Sequence, residues 1–376
     1  MPIYLDYAAT TPPAPEVREA MAVCMRDNWG NASSRNHSHG RRAAQAVDRA
    51  RQQIADLLGT RADELTFTSG ATESNNLALD GLFSDRTGHL VISATEHPSV
   101  IEAARRLSRA GVDVTVLPVG GDGCVDPAAV AEALTTKTRL VSVMCVNNEV
   151  GTINPIDQIG QICRERGVLF HSDIVQAVGK VPVDLANVDL ASVTAHKMYG
   201  PTGVGALYVR RRKPALQLVP ALIGGGQQQG LRPGTFNVAG IVGFGVAAQL
   251  TASRLDQDIE HYRSLRRVLV QALVQSTAFQ LNTDGELCAP SICSVSFPGC
   301  DARQLIRQLS DLSVSSGAAC ASSDGHGGSH VLAAMGLAVE RQRSTLRLSF
   351  GRPTLADEVR YAAQLVCDAV AGCAST

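Results

Sequence analysis

The sequence predicts an α/β protein with two domains: a large domain built on a mainly parallel, doubly wound sheet, and a small α+β domain. The chain has 376 residues, and a single hydrophobic core rarely grows beyond about 250–300 residues. Between residues 64 and 210, short apolar runs alternate with helical stretches, which is typical of β–α units that build a parallel sheet. Hydrophobic residues make up 45% of the chain and charged residues 18%, as in ordinary folded proteins.

The elements of the large domain follow from apolar runs and helix boundary signals. The predicted strands are residues 65–68, 90–93, 112–117, 140–146, 168–171 and 190–194. The predicted helices are residues 99–110, 127–134 behind the cap Asp126, and 156–166, which Gly167 ends.

An amphipathic helix over residues 253–275 should connect the large domain to the small one. The small domain is predicted to contain, in order, a strand (291–297), a helix (302–309), a strand (346–350) and a closing helix (354–371). We therefore expect a large domain over residues 14–252. Residues 1–13 and 253–376 should form the small domain.

Charge and hydropathy exclude several classes of protein. The formal net charge of -1 gives no overall attraction to nucleic acid or to an anionic membrane, so we expect no direct nucleic-acid partner. The first residues lack a basic segment followed by an apolar one, and no apolar run reaches about 18 residues. These features favour a cytoplasmic protein without a membrane partner.

The ten cysteines show no Cys-x-x-Cys spacing, which argues against a structural zinc site or a disulfide framework. His326 and His330, with Asp324 nearby, are a weak candidate for metal ligands, because a glycine-rich loop does not hold ligands in place. We expect no metal.

Polar side chains collect where the predicted strands end. In open α/β sheets ligands bind at the carboxyl ends of strands, so these side chains should meet in one crevice. They are Thr72, His97, Asn148, Asp173, Gln176, His196 and Lys197.

The turn over residues 69–73 follows a strand and opens a helix, so its backbone N–H groups suit a phosphate. A plain strand-to-helix turn with a cap is the alternative. Asp173 follows an apolar strand, where a carboxylate needs a partner such as a pyridinium nitrogen. Lys197 on a glycine-containing bend can form a Schiff base, and His97 could stack on a ring and move protons.

Taken singly, Asp173 could cap a turn, Lys197 could lie at the surface and His97 could be inert. Their combination favours a pyridoxal-phosphate site. Eight collinear segments then resemble one known family, the cysteine desulfurases of the class-V aminotransferase group, which are fold type I pyridoxal enzymes. They begin at Tyr4 (YLDYAATT), Thr68 (TSGATESNN), Thr95 (TEH), Val146 (VNNEVG), His171 (HSDIVQ), Ala195 (AHK), Arg232 (RPGT) and Ser315 (SSGAAC).

The resemblance implies a role for each candidate residue. Lys197 would bind pyridoxal 5'-phosphate covalently, Asp173 would pair with the pyridine nitrogen, and Gln176 with the phenolic oxygen. His97 would stack on the ring. The phosphate would be held by Thr72 and its neighbour Ala71, by Thr194 and by His196, with Thr235 reaching it from the partner subunit of a homodimer.

Arg347 resembles the family arginine that binds the substrate carboxylate, a task suited to its bidentate geometry, and Asn148 would assist it. For Arg347 a salt bridge at a strand edge is the alternative. Cys320 lies in the loop over residues 317–329 rather than on an apolar face, and a thiol reacts as the thiolate.

The resemblance implies conversion of L-cysteine to L-alanine, with the sulfur passing to Cys320 as a persulfide and then to an acceptor protein. The acceptor could belong to iron–sulfur cluster assembly, tRNA thiolation or DNA phosphorothioation. Two alternatives stay open. One is a selenocysteine lyase or small-amino-acid aminotransferase in which Cys320 is incidental. The other is a non-catalytic partner protein, which should have lost Lys197 or Asp173.

Overall fold

The computed structural model describes residues 2–316 and 328–373. Numbered in chain order, its strands are β1 (Ile3–Tyr4), β2 (Leu65–Thr68), β3 (His89–Ser93), β4 (Asp113–Leu117), β5 (Thr138–Ser142), β6 (Leu169–Asp173), β7 (Leu190–Thr194), β8 (Gly205–Val209), β9 (Gln280–Leu281), β10 (Ile292–Ser296), β11 (Leu312–Ser313), β12 (Ser315–Ser316) and β13 (Thr345–Ser349). Its α-helices are α1 (Pro15–Asp27), α2 (Ser38–Leu58), α3 (Ala71–Leu82), α4 (Pro98–Arg109), α5 (Pro127–Ala133), α6 (Ile156–Glu165), α7 (Val238–Ser276), α8 (Ala302–Gln308), α9 (His330–Ala334), α10 (Val339–Arg343) and α11 (Ala356–Cys373).

Seven strands form the central sheet, in the order β2-β8-β7-β6-β5-β3-β4. The pairs among β3, β4, β5, β6 and β7 are all parallel, which confirms the predicted mainly parallel α/β fold. The prediction missed β8, which is antiparallel to both β2 and β7. Residues 195–204, which connect β7 to β8, are too few for a crossover of a dozen or more residues, so β8 returns antiparallel.

Helices cover both faces of this sheet, because successive strand side chains point to opposite sides. On one face Val91 packs in a core with residues of α2, α6 and α7, such as Ile54, Ile159 and Phe244. On the other face Leu90 and Ile92 pack against α3 and α4. The site therefore rests on strands that are buried on both sides.

The strand predicted over residues 140–146 is shorter in the structure, where β5 ends at Ser142. The chain still follows β6 beyond that point: the amide of Val143 donates to the carbonyl of His171 at 3.1 Å, and that of Cys145 to the carbonyl of Asp173 at 2.9 Å. These hydrogen bonds, made by every second residue, keep the backbone beside Asp173 and carry the chain toward Asn148.

The helix predicted over residues 253–275 begins earlier, at Val238. Its first turns are rich in small residues that do not produce an amphipathic pattern, and the packing explains why they are small. A Cβ added at Gly245 would lie 2.6 Å from the Cα of Ala50 in α2, so the two helices approach more closely than a larger side chain would allow.

Among the described residues, α7 is the one helix long and apolar enough, by length and composition, to cross a membrane. It packs instead along α1, α2 and α11, and Phe244, Ala247 and Ala248 in its apolar half are fully buried in the protein core. We therefore interpret it as a core helix.

The second sheet is antiparallel, in the order β12-β13-β10-β9, and its core includes Leu269, Leu346, Leu348 and Val366. The N-terminal segment packs on this core through Leu5, and its strand β1 pairs with β11 in a separate two-stranded sheet. Helix α7 passes without interruption from the core of the large sheet to this second core. The domain boundaries given above stay a prediction.

Candidate active site

A cavity of about 590 Å³ lies at the carboxyl ends of β5, β6 and β7. Most of the residues predicted from the sequence line it: Ala71, Thr72, His97, Asn148, Asp173, Gln176, Thr194, His196, Lys197 and Arg347. Thr235 is not brought to this cavity and is exposed. Cys320, with the rest of residues 317–327, lies outside the described part of the chain.

One wall of the cavity is the start of α3. Gly70 precedes the helix with φ 154° and ψ 177°, a backbone conformation that favours glycine. Ala71, Thr72 and Glu73 form the first helical turn and line the cavity, and within the described part of the chain no side chain caps this helix start. Such a helix start is suited to binding an anionic group.

Asp173 is the last residue of β6 and is only 4% exposed. Its Oδ2 accepts a hydrogen bond from Asn75 Nδ2 at 2.9 Å, and its Oδ1 accepts one from the Val175 amide at 3.0 Å. These two donors fix the orientation of the carboxylate at the cavity.

The same Asn75 links Asp173 to His97. Asn75 Nδ2 also donates to Ser99 Oγ at 2.8 Å, and Ser99 Oγ lies 2.8 Å from His97 Nδ1. The backbone amide of Ser99 donates to Nδ1 at 3.1 Å, so a neutral ring carries its proton on Nε2. Burial, opposed by Asp173, lowers the pKa of His97 from its ordinary value of 6.5, which keeps the imidazole neutral near pH 7.

Lys197 ends a short 3-10 turn, Ala195–Lys197, directly after β7. Its Nζ donates to the carbonyl oxygens of Ala8 at 2.5 Å and Ala9 at 2.6 Å. Gln176 Nε2 shares the Ala8 carbonyl at 2.8 Å. The N-terminal segment therefore positions both side chains at the cavity.

The residues on either side of this turn line the cavity as well. Thr194 Oγ1 donates to the Val204 carbonyl at 3.2 Å, and His196 Nδ1 lies 3.1 Å from Thr10 Oγ1. Burial, with the nearby positive charges of Lys197 and Lys180, lowers the pKa of His196 to about 4. His196 is therefore a neutral hydrogen-bonding group.

Arg347 lies in the middle of β13 and is 3% exposed. Its Nη2 donates to Asp6 Oδ1 at 2.6 Å and to Ser315 Oγ at 3.1 Å, and its Nη1 donates to the Asn148 carbonyl at 2.8 Å. Its Nε is buried without a hydrogen-bond partner among the described residues. The contact with Asn148 thus runs through the backbone of Asn148.

Sequence reasoning missed Asn75, Ser99 and Asp6 as members of the site. Asn75 and Asp6 each lie in a segment that carries the family resemblance, and Ser99 follows His97 by two residues. Proximity to the recognised motifs was the available signal, but the partners that give these residues a role come from distant parts of the chain.

Glu149, next to Asn148, is 4% exposed and accepts a hydrogen bond on Oε2 from Ser329 Oγ at 2.5 Å. Burial raises the pKa of Glu149 to about 7, against the smaller opposing effects of Ser329 and Arg347. A raised pKa in the folded state means that this group favours folding below its ordinary pKa of about 4.5. That contribution is lost as the pH rises through about 7.

We therefore expect Glu149→Gln, which can still accept from Ser329, to be more stable than the unmodified protein at about pH 9 by about 1–3 kcal/mol. At about pH 5 the two should be nearly equal, because both side chains are then largely neutral. Thermal unfolding of both proteins at the two pH values measures the difference. An equal gain at both pH values would contradict the buried titration.

The cavity fits a phosphorylated pyridine aldehyde on several independent observations. It offers an uncapped helix start for a phosphate, the buried carboxylate of Asp173 for a ring nitrogen, and a lysine amine. Gln176 Oε1 is buried and has no hydrogen-bond partner among the described residues, so a bound group could supply one. The volume is in the range of cofactor pockets. This fold and this site define the fold type I class of transferases.

Comparisons with known proteins place the chain within that class. The class-V aminotransferase family matches residues 3–361. The cysteine desulfurase IscS of Rickettsia bellii is 44% identical over 98% of this chain and 91% of its own length. The solved structure of a NifS-like protein superposes with a TM-score of 0.92 at 34% identity, covering 99% of this chain and all of that one. A structure of SspA in complex with cysteine gives a TM-score of 0.81 at 36% identity, covering 93% and 98%.

The chain belongs to the class-V aminotransferase family and, within it, to the cysteine desulfurases. The function expected from the sequence is confirmed at this level. Enzymes of this family depend on pyridoxal phosphate.

Proposed function

We propose that this cysteine desulfurase uses pyridoxal 5'-phosphate to convert L-cysteine to L-alanine and passes the sulfur through Cys320 to an acceptor protein. The observation that carries the proposal is the meeting of Lys197, Asp173 and Arg347 on one cavity. An amine, a buried carboxylate and a guanidinium are the groups needed for a pyridine aldehyde and an amino-acid carboxylate. The SspA structure in complex with cysteine supports the choice of amino acid.

The cofactor would be held at both ends. Ala71 and Thr72 at the start of α3, with Thr194 and His196, would bind its phosphate, and Asp173 would bind its ring nitrogen. Gln176 would bond its phenolic oxygen. When bound, the cofactor supplies an electron sink that stabilises negative charge on the substrate.

The side chains of this chain would do the remaining work. Lys197 Nζ, held beside the Ala8 and Ala9 carbonyls, would move the substrate's α-proton. His97, whose neutral ring carries its proton on Nε2, would stack on the ring and serve as a second proton carrier. Cys320 would form a bond to the substrate sulfur as the carbon–sulfur bond breaks, and the carbon would keep the electron pair and take a proton to give alanine.

A homodimer is part of the proposal. Thr235 is exposed and does not line the cavity of its own chain, which is compatible with a role at the cavity of a second copy. The segment that contains Thr235 is joined to the start of α3, because Arg232 Nε donates to Glu73 Oε1 at 2.9 Å. We further propose that the enzyme works in the cytoplasm. The packing of α7 against α1, α2 and α11 supports this, because it explains the apolar composition of that helix without a membrane.

With L-cysteine and a reducing thiol, the cofactor-loaded protein should release alanine and sulfide in equal amounts. Arg347→Lys keeps the charge but loses the two-pronged geometry, and it should raise KM about tenfold or more while changing kcat much less. Steady-state kinetics of both proteins measure this, with thermal unfolding as the check on folding. An unchanged KM would move the carboxylate site away from Arg347, and amino transfer without sulfide would contradict the proposed reaction.

A further inference from the structure

Asp6 lines the cavity, but the mechanism above gives it no role. Its backbone is fixed beside β13 of the second sheet by a parallel bridge to Ser349. The Ser349 amide donates to the Leu5 carbonyl at 2.7 Å, and the Ala8 amide donates to Ser349 Oγ at 2.9 Å. Asp6 is therefore held in place from both sides.

The fixed position puts Asp6 on the arginine that is proposed to bind substrate. Asp6 Oδ1 and Arg347 Nη2 are 2.6 Å apart, with 18% and 4% of the two side chains exposed. Ser315 and the Asn148 carbonyl, the other partners of this guanidinium, are uncharged. Asp6 is thus the one carboxylate hydrogen-bonded to Arg347 among the described residues.

A substrate carboxylate that approaches Arg347 meets a guanidinium that is already neutralised. Arg347 lines the cavity, and its Nε has no hydrogen-bond partner among the described residues, so a substrate carboxylate would share the guanidinium with Asp6. Two carboxylates that share one cation repel each other. A like charge in direct contact with the same cation changes a binding equilibrium by about tenfold or more.

We propose that Asp6 is a specificity-determining residue that acts as an internal carboxylate at the substrate-carboxylate subsite. It holds Arg347 in position in the absence of substrate and weakens the binding of every carboxylate that follows. L-Cysteine and L-alanine then bind loosely and exchange readily, and small carboxylates do not block the cavity. The inference rests on the proposed function, because it takes Arg347 as the carboxylate-binding residue.

The test is Asp6→Asn in the cofactor-loaded protein, since asparagine keeps the shape and the acceptor oxygen but removes the charge. We expect KM for L-cysteine and the calorimetric Kd for L-alanine to fall about tenfold. Cysteamine, which is cysteine without its carboxylate, should bind both proteins equally. Asp284→Asn removes the charge of another Asp–Arg pair, 3.1 Å from Arg266 and well exposed, and should change none of these values.

Unchanged or weaker binding of L-cysteine and L-alanine to Asp6→Asn would overturn the inference, as would an equal gain for cysteamine. Asp6→Ser, which also removes the charge, repeats the measurement if the asparagine variant does not fold. Binding of L-alanine is read without turnover. Absence of alanine release by the unmodified protein would therefore defeat the proposed function while the role of Asp6 is still measured.

Discussion

Replacing Lys197 with alanine should abolish alanine release from L-cysteine and remove the absorbance band of the covalently bound cofactor. Lys197 Nζ is held by two backbone carbonyls at the end of β7, where it can serve both as the covalent anchor and as the proton carrier. Loss of a positioned acid–base group alone costs about 10²–10⁴ in rate, and loss of the anchor adds to this. The absorbance spectrum and the rate of product release are the two measurements.

The matched control is Lys137→Ala, because Lys137 is exposed and should affect neither the spectrum nor the rate. Lys180 is the lysine to compare with Lys197 as the covalent anchor of the cofactor. It is 5% exposed, its Nζ donates to the Lys197 carbonyl at 3.2 Å, and burial lowers its pKa to about 7. If the absorbance band persisted in Lys197→Ala, Lys180 would become the candidate anchor, and the assignment of Lys197 would be wrong.

Much of the large sheet could be predicted because its strands and the helices between them have local sequence patterns. The strands of the large sheet are short apolar runs, and β2 and β7 have the predicted ends. Helices α1 and α2 were not predicted at all. Strand β8 was also missed, and α7 was predicted too short, each for a physical reason. Strand β8 follows β7 after a connection too short to contain a helix, so the alternation of strands and helices does not indicate it. The first turns of α7 are built from glycine and other small residues. Their helical state depends on close packing against α2, which leaves no periodic signal.

The candidate site could likewise be predicted only in part. The rule that ligands bind at the carboxyl ends of parallel strands was enough to group Asp173, His97 and Lys197. It could not predict that Asn75 joins Asp173 to Ser99, or that Asp6 bonds to Arg347. These contacts join segments far apart in the chain, so they depend on tertiary distances that no local pattern contains.

Replacing Cys320 with alanine should reduce alanine and sulfide release by at least about a thousandfold, the scale lost when a catalytic nucleophile is removed. The thiolate is the reactive form of cysteine, so the question is which of the ten thiols can take that form. Of the nine others, all in the described part of the chain, Cys124 and Cys373 are partly buried and the rest are buried. Burial raises the pKa of Cys145 and Cys163 to about 12 and that of Cys293 to about 11.

Cys124→Ala is the matched control, because Cys124 is partly accessible and should be dispensable. Product release is measured for both variants and the unmodified protein, and mass spectrometry after L-cysteine is added should place the extra sulfur on the peptide that contains Cys320. Cofactor absorbance should be unchanged in Cys320→Ala, which separates loss of the sulfur acceptor from loss of the site. If Cys320→Ala still released alanine at the full rate, the thiol would be incidental, and the chemistry would be that of a lyase or an aminotransferase on the same cavity.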